Sequence, residues 1–215
     1  MVRANTGIVS DILETLTKTQ AENFSKTCFG HWLNVNHKKN NQLLIYTILA
    51  SAVDNVANDL SLNILGKRIH FRQQEFCLVT PLRFGGKVHM NEWVRSKSDN
   101  PFRIRMFPDI PTHVLVKVNG VWNIFDKMHQ GSLDLQDDDA VRICLLVLLD
   151  MGFLGRQLVH VVSDHRLKLV EHISICWNIF PWGRIFGSIH ICNLEMLLSE
   201  RKQRHDDKRQ KGKEI

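Results

Sequence analysis

Apolar residues near the start of the chain recur at helical spacing. Ile8, Ile12 and Leu16, with Leu13 and Phe24, predict a first helix over Ile8 to Thr27, with Ser10 and Asp11 able to cap its start. Cys28-Phe29-Gly30 breaks the pattern, Trp32 to Val35 forms a short apolar anchor, and Asn36 to Asn41 reads as a polar turn. Leu43, Leu44, Thr47, Ile48, Ala52 and Val56 then predict a second helix over Gln42 to Asp59. Beyond it, Leu62 to Leu65 and Arg68 to Phe71 flank Gly66-Lys67. That arrangement predicts a β-hairpin, and glycine at the first loop position suits a type II′ turn. A helix over Gln73 to Thr80 follows and stops at Pro81, which cannot continue it.

Phe84 to Ile110 is broken by Gly85-Gly86, Pro101 and Pro108, and Lys97 to Asn100 reads as a loop tip. Asn119-Gly120 between β-branched residues is a hairpin signal, yet Val121, Trp122, Ile124, Phe125 and Met128 fit a helix capped by Asn119. A short strand or turn leading into a helix is the preferred reading. Asp134 to Phe153 predicts a helix with Asp137, Asp138 and Asp139 in its first turn, where the helix dipole favours negative charge. Its run from Val141 to Leu149 is apolar nearly all round, which places it inside a core, and Gly152 and Gly155 end it. Helices over Asp164 to Asn178 and Ile185 to Ser199 flank Phe180, Pro181, Trp182 and Gly183. Proline fixes φ and glycine permits close backbone approach, so these four residues predict a sharp corner. Trp182 there either packs inside or is presented as an anchor for a partner.

The fold class that follows is α+β, mainly helical: one globular domain of packed helices with a small β-hairpin near residues 61–71. Residues 1–23 form the N-terminal helix and lead-in, 24–199 the globular unit, and 200–215 a basic, frayed or disordered tail. That tail carries Arg201, Lys202, Arg204, Lys208, Arg209, Lys211 and Lys213 against four acidic residues, which is half of the chain's formal net charge of +6. It is a candidate basic contact segment, although Asp206-Asp207 interrupts it, which favours a solvated end. With 44% hydrophobic and 23% charged residues among 215, wholesale disorder, collagen and coiled coil are excluded. Five scattered cysteines argue against a disulfide scaffold and for a reducing compartment. The longest apolar run, Ile143 to Leu149, is far short of the roughly 20 residues a membrane span needs, and no signal segment is visible at the start. An intracellular protein without a membrane contact is expected, in the nucleus rather than the cytoplasm.

Chemistry-bearing patterns are sparse. His165, His172 and Cys176, spaced seven and four apart, would share a helix face, with His190 and Cys192 nearby in sequence, but the paired close ligands of a structural zinc site are missing. Cys28-x-x-His31 is a half-knuckle without a second pair. Cys77 and Cys144 sit in apolar helices, where burial makes a thiol inert, and no serine-nucleophile, phosphate-loop or dinucleotide motif is present. No catalytic residue, metal or cofactor is therefore expected. Arg83, Lys87, Arg95, Lys97, Arg103 and Arg105 interleave with Phe84, Trp93, Phe102 and Phe107, the composition of a single-strand nucleic-acid groove and equally of core aromatics beside a solvated basic edge.

Several stretches, in order, resemble a plant-specific domain of unknown function. They are Cys28 to Leu33, Gly66 to Leu82, Asp137 to Leu146 continuing to Gly152 to Arg156, Leu169 to Glu171, and Trp177 to Gly183. Pro81 stands where members of that family usually carry glycine after the Val-Thr pair. The family occurs in transposon-associated plant proteins, ahead of a SUMO-protease-like (ubiquitin-like-specific cysteine protease) domain. The resemblance implies a non-catalytic interaction or accessory module, because the protease His, Asp, Gln and Cys would lie C-terminal to the matching stretches. The alternatives are a nucleic-acid-associated accessory protein and the remnant of a cysteine peptidase. The protein partner and the oligomeric state are not legible.

Overall fold

The computed structural model describes residues 7–35, 43, 47–48, 50–53, 59–85, 100–189 and 196. The polar turn at Asn36 to Asn41, most of the helix expected over Gln42 to Asp59, and the basic tail lie outside them. The class is α+β and mainly helical, with a two-stranded antiparallel hairpin. Contacts group the chain into two units interleaved in sequence, Met1–Lys39 with Lys87–Phe180, and Asn40–Gly86 with Pro181–Ile215.

In the first unit the expected helix Ile8 to Thr27 is two helices, α1 Ile8–Thr15 and α2 Lys18–Ser25. Thr17 causes the break. Its hydroxyl accepts from the Gln20 backbone N–H while the Gln20 side chain accepts from the Thr17 N–H, a reciprocal capping box that starts a new helix. Neither Ser10 nor Asp11 caps α1, whose N-cap is Gly7, and Leu13 faces outward. A 3₁₀ turn over Gly30–Asn34 follows.

α3 Pro101–Met106 was not foreseen. Asn100 caps it by accepting from the Arg103 N–H, and proline occupies the first turn, where a missing N–H costs nothing. The segment before α4 Val118–His129 pairs as a single antiparallel bridge, Lys117 with Val161, so the short-strand-then-helix reading holds. Lys117, not Asn119, is its N-cap, and Asn119-Gly120 lies in the first helical turn.

α5 Asp137–Val147 is the centre of this unit, and a π-helical turn over Leu148–Phe153 continues it. Every residue from Ile143 to Leu149 is buried. α2, α4 and α6 Asp164–Glu171 pack around it, and α1 packs on α4 and on the π turn. α6 is shorter than expected: His172 leaves the helix (φ −114°, ψ 76°), and a separate π turn covers Ile173–Trp177.

In the second unit β1 Leu60–Ile64 pairs with β2 Lys67–Phe71 in the register Leu60 with Phe71 through Ile64 with Lys67. The loop is therefore Leu65-Gly66, one residue earlier than the sequence suggests. Both loop residues have positive φ (51° and 79°), which makes the turn type I′ rather than II′. Ala52 bridges Leu62 and the Val53 N–H donates to the Ser61 carbonyl (2.9 Å), so the expected helix does not reach Asp59. α7 Gln73–Val79 ends at Thr80 before Pro81, as expected. Residues 182–189 are helical.

Candidate functional site

The first unit carries an open cleft of about 410 Å³, lined by Asn23 and Lys26 of α2, Asp138 and Arg142 of α5, and Glu171 to Ile175 where α6 ends. Two of its lining residues, Arg142 and Glu171, belong to a charge network. Arg105 grips Asp139 with Nε and Nη2 (3.1 and 3.0 Å) and also reaches Glu171 (3.1 Å). Arg142 donates to Asp139 (2.7 Å) and to the carbonyls of Val170 and Glu171 (3.3 and 3.2 Å). Those two carbonyls belong to the last turn of α6, where helical partners run out. Arg142 thus fixes the point where the chain leaves the helix and turns the His172–Ile175 segment to the cleft.

Burial alone would raise the Asp139 carboxyl, but the bonds from Arg105 and Arg142 outweigh it and hold Asp139 below the usual aspartate range. Asp150, in the π turn, goes the other way. Its side chain is buried against Arg166 (2.5 Å) and, farther off, Arg156 (3.6 Å). Desolvation dominates there and pushes the carboxyl up, with the two arginines only partly offsetting it. Both carboxylate oxygens of Asp139 accept from arginines, whereas at Asp150 Oδ1 is bonded and Oδ2 has no hydrogen-bond partner.

The cysteines are not poised as nucleophiles among the described residues. Burial pushes the Cys28 thiol up to about 12, partly offset by its own backbone N–H; the sulfur donates to the Trp177 carbonyl (3.8 Å), and the Cys28 N–H donates to Asn178 (2.9 Å). Cys77, Cys144 and Cys176 are also raised by burial. A thiolate, not a thiol, is the attacking species.

His165, His172 and Cys176 do not share one continuous helix face, because the helix breaks at His172. His165 is half-buried beside the Phe180 ring (5.7 Å), and desolvation, aided by Arg166 and Lys168, lowers its pKa. No group of three potential metal ligands converges among the described residues. His190 and Cys192 lie outside them.

The described part of the basic–aromatic set is committed elsewhere. Arg103 is buried, with bonds to Asp164 (2.7 Å) and to the carbonyls of Pro111 and Val114 (2.9 and 2.5 Å). Phe102 and Phe107 pack edge-to-face in the interior. Arg105 belongs to the Asp139 network. Arg83 and Phe84 are described; Lys87, Trp93, Arg95 and Lys97 fall outside the described residues.

The Phe180–Gly183 motif crosses from one unit to the other. Phe180 is buried, and its N–H bonds the Cys176 carbonyl (3.1 Å) in the first unit. In the second, Trp182 is 3% exposed and stacks on Phe186 (5.6 Å). The Gly183 N–H donates to the Arg83 carbonyl (3.0 Å), and a Cβ there would come 2.5 Å from Cys77 Sγ and 2.7 Å from the Leu82 carbonyl oxygen. The Pro-Trp-Gly segment therefore seats its tryptophan inward and needs glycine for close approach. Arg201, Lys202, Arg204, Lys208, Arg209, Lys211 and Lys213 lie outside the described residues.

Sequence reading missed the Asp139 network. Asp139 and Arg142 stand three apart on one helix and are a recognisable local pair. Arg105 and Glu171, distant in sequence, gave no signal. No described helix is long and apolar enough to cross a membrane. Comparison of the chain with protein-family models, with curated proteins and with solved structures finds no match in any of the three.

Proposed function

We propose that the chain is a non-catalytic interaction module that receives a protein partner at the cleft of its first unit. In this reading it is an accessory part of a transposon-associated plant protein, acts in the nucleus, and is linked to a SUMO-protease-like domain, as the resemblance implies. The observation that carries the reading is the composition of the cleft's rim. Ile175 is 59% exposed in the cleft lining, next to the half-buried Ile173 and with Lys26 and Asp138 of opposite sign on the same lining. An exposed apolar side chain ringed by polar groups of mixed charge suits a protein contact. The raised thiols support the non-catalytic half of the reading.

Proximity labelling in plant cells tests it, comparing the chain with its Ile175→Glu variant. A labelled protein that disappears in the variant, at unchanged thermal stability, is the expected result. Identical labelling by both forms overturns the cleft as the contact. A labelled set that vanishes on nuclease treatment instead favours the nucleic-acid alternative. Processing of a ubiquitin-like precursor that is lost in a single Cys→Ser variant overturns the non-catalytic reading.

A further inference from the structure

The hairpin of the second unit has one edge that its own ladder leaves open. Because Leu65-Gly66 is a two-residue loop, Ile64 and Lys67 exchange both backbone bonds. Bonding and non-bonding pairs alternate along an antiparallel ladder, so Leu62 with Ile69 and Leu60 with Phe71 are bonded pairs as well. It follows that Ser61 and Asn63 on β1, and Arg68 and His70 on β2, aim their N–H and C=O groups away from the hairpin. On β1 those outward groups are used. The Asn63 N–H donates to the Ser51 carbonyl (2.8 Å) and the Ser61 carbonyl accepts from Val53 (2.9 Å). On β2 they are not: among the described residues no backbone group bonds the outward edge of Arg68 or His70, and residues 67–70 are all exposed.

The side chains along this edge are basic. Lys67 and Arg68 make no ion pair among the described residues, while His70 and Arg72 share the single carboxylate of Asp59 (3.2 and 3.1 Å). Alternation along the strand puts Arg68, His70 and Arg72 on one face and Lys67, Ile69 and Phe71 on the other. Ile69 is 44% exposed. A second copy of β2 would set like charges side by side, which disfavours self-pairing.

We propose that β2 accepts an additional strand from another protein, an extended segment in which acidic residues alternate with β-branched apolar ones. The segment's backbone pairs with the outward groups of Arg68 and His70, its acidic residues face Arg68 and Arg72, and its apolar residues cover Ile69.

The test is a titration of the whole ¹⁵N-labelled chain with the capped peptide Val-Asp-Val-Glu-Val-Asp-Val. Two control peptides are used, one with lysine replacing each acid and one with proline at the central position. The expected result is chemical-shift change and slowed exchange at the Arg68 and His70 amides. Affinity should weaken with salt, fall about tenfold or more in Arg68→Glu and less in Arg68→Gln, and vanish for the proline peptide, which cannot complete the ladder. Both variants change an exposed residue, and a thermal melt checks that they fold. Equal binding of the acidic and lysine peptides, affinity unchanged in Arg68→Glu, or no binding at millimolar peptide overturns the proposal. Shifts at Lys26 and His172 in place of Arg68 and His70 also overturn it while favouring the cleft, so the two readings fail separately.

Discussion

In the first unit the charged Asp139 is drawn inside and held by Arg105 and Arg142, on a helix buried from Ile143 to its end. In the second unit Lys67 and Arg68 stand on the open edge of a two-stranded hairpin, in solvent and without ion partners among the described residues. A partly buried network holds one arrangement, because the loss of one member leaves the charges of the others unpaired. An exposed edge charge adds little to stability, and it is left to act on whatever approaches. The first region is built to be fixed and the second to be met.

The sharpest way to break this contrast is Leu145→Asp, at a fully buried position of α5. An unpaired buried charge costs several kcal/mol, a large part of the stability of a typical domain. The variant should lose its cooperative helical transition in a thermal melt monitored by circular dichroism. A melt like that of the parent would remove α5 from the core.

Asp139→Asn comes next. It breaks a partly buried ion network and should cost about 3 kcal/mol by denaturant unfolding, the low end for a buried pair because Arg105 is 41% exposed. It also carries a pH signature. The folded pKa of Asp139 lies below its unfolded value, so its contribution is fully present above the ordinary aspartate value of about 3.9 and is lost as pH falls through the folded value. Asp150, with a raised folded pKa, has the opposite sign: its ionised form penalises the fold as pH rises from the ordinary value through the raised one. The parent should therefore lose stability toward low pH more steeply than Asp139→Asn. Parallel pH profiles for the two would show that the Arg105–Asp139–Arg142 bonds are not what stabilises this unit.

Trp182→Ala probes the interior of the second unit. Truncating a buried large aromatic costs about 3–5 kcal/mol. A melting temperature that stays the same would show that this indole is not packed as its 3% exposure implies.

The smallest effect belongs to Leu65, which holds φ 51° while 98% exposed. A left-handed leucine is disfavoured by roughly 1–2 kcal/mol, and asparagine tolerates that region and suits the first position of a type I′ turn. Leu65→Asn should raise stability by about 0.5–1 kcal/mol, the scale of other gains from relieving backbone conflict. Destabilisation by this change would mean that Leu65 makes a contact worth more than its strain.

How much of this was readable can be judged element by element. The hairpin, the helix Gln73–Val79 and the buried run from Ile143 to Leu149 were legible, because each rests on a local period and a local stop signal. The division of the first helix was legible in principle, since Thr17 and Gln20 spell a capping box, but the apolar stripe running through it from Ile12 to Phe24 hid the break. Asn100-Pro101 likewise announced a helix start that the surrounding prolines and glycines obscured.

By itself the sequence determined the fold class, the central position of the Val141–Leu149 stretch and the inert setting of Cys77 and Cys144. All three follow from the local periodicity of apolar residues. Only the tertiary structure decided that Asp139 is an ion-network centre rather than a simple dipole partner, that Arg103 and Phe102 belong inside, and that α6 ends at Glu171 to open a cleft. The reason is distance along the chain. Arg105 and Asp139 are separated by 34 residues and Arg103 and Asp164 by 61, and a charge shows no partner in sequence until folding removes the water between them.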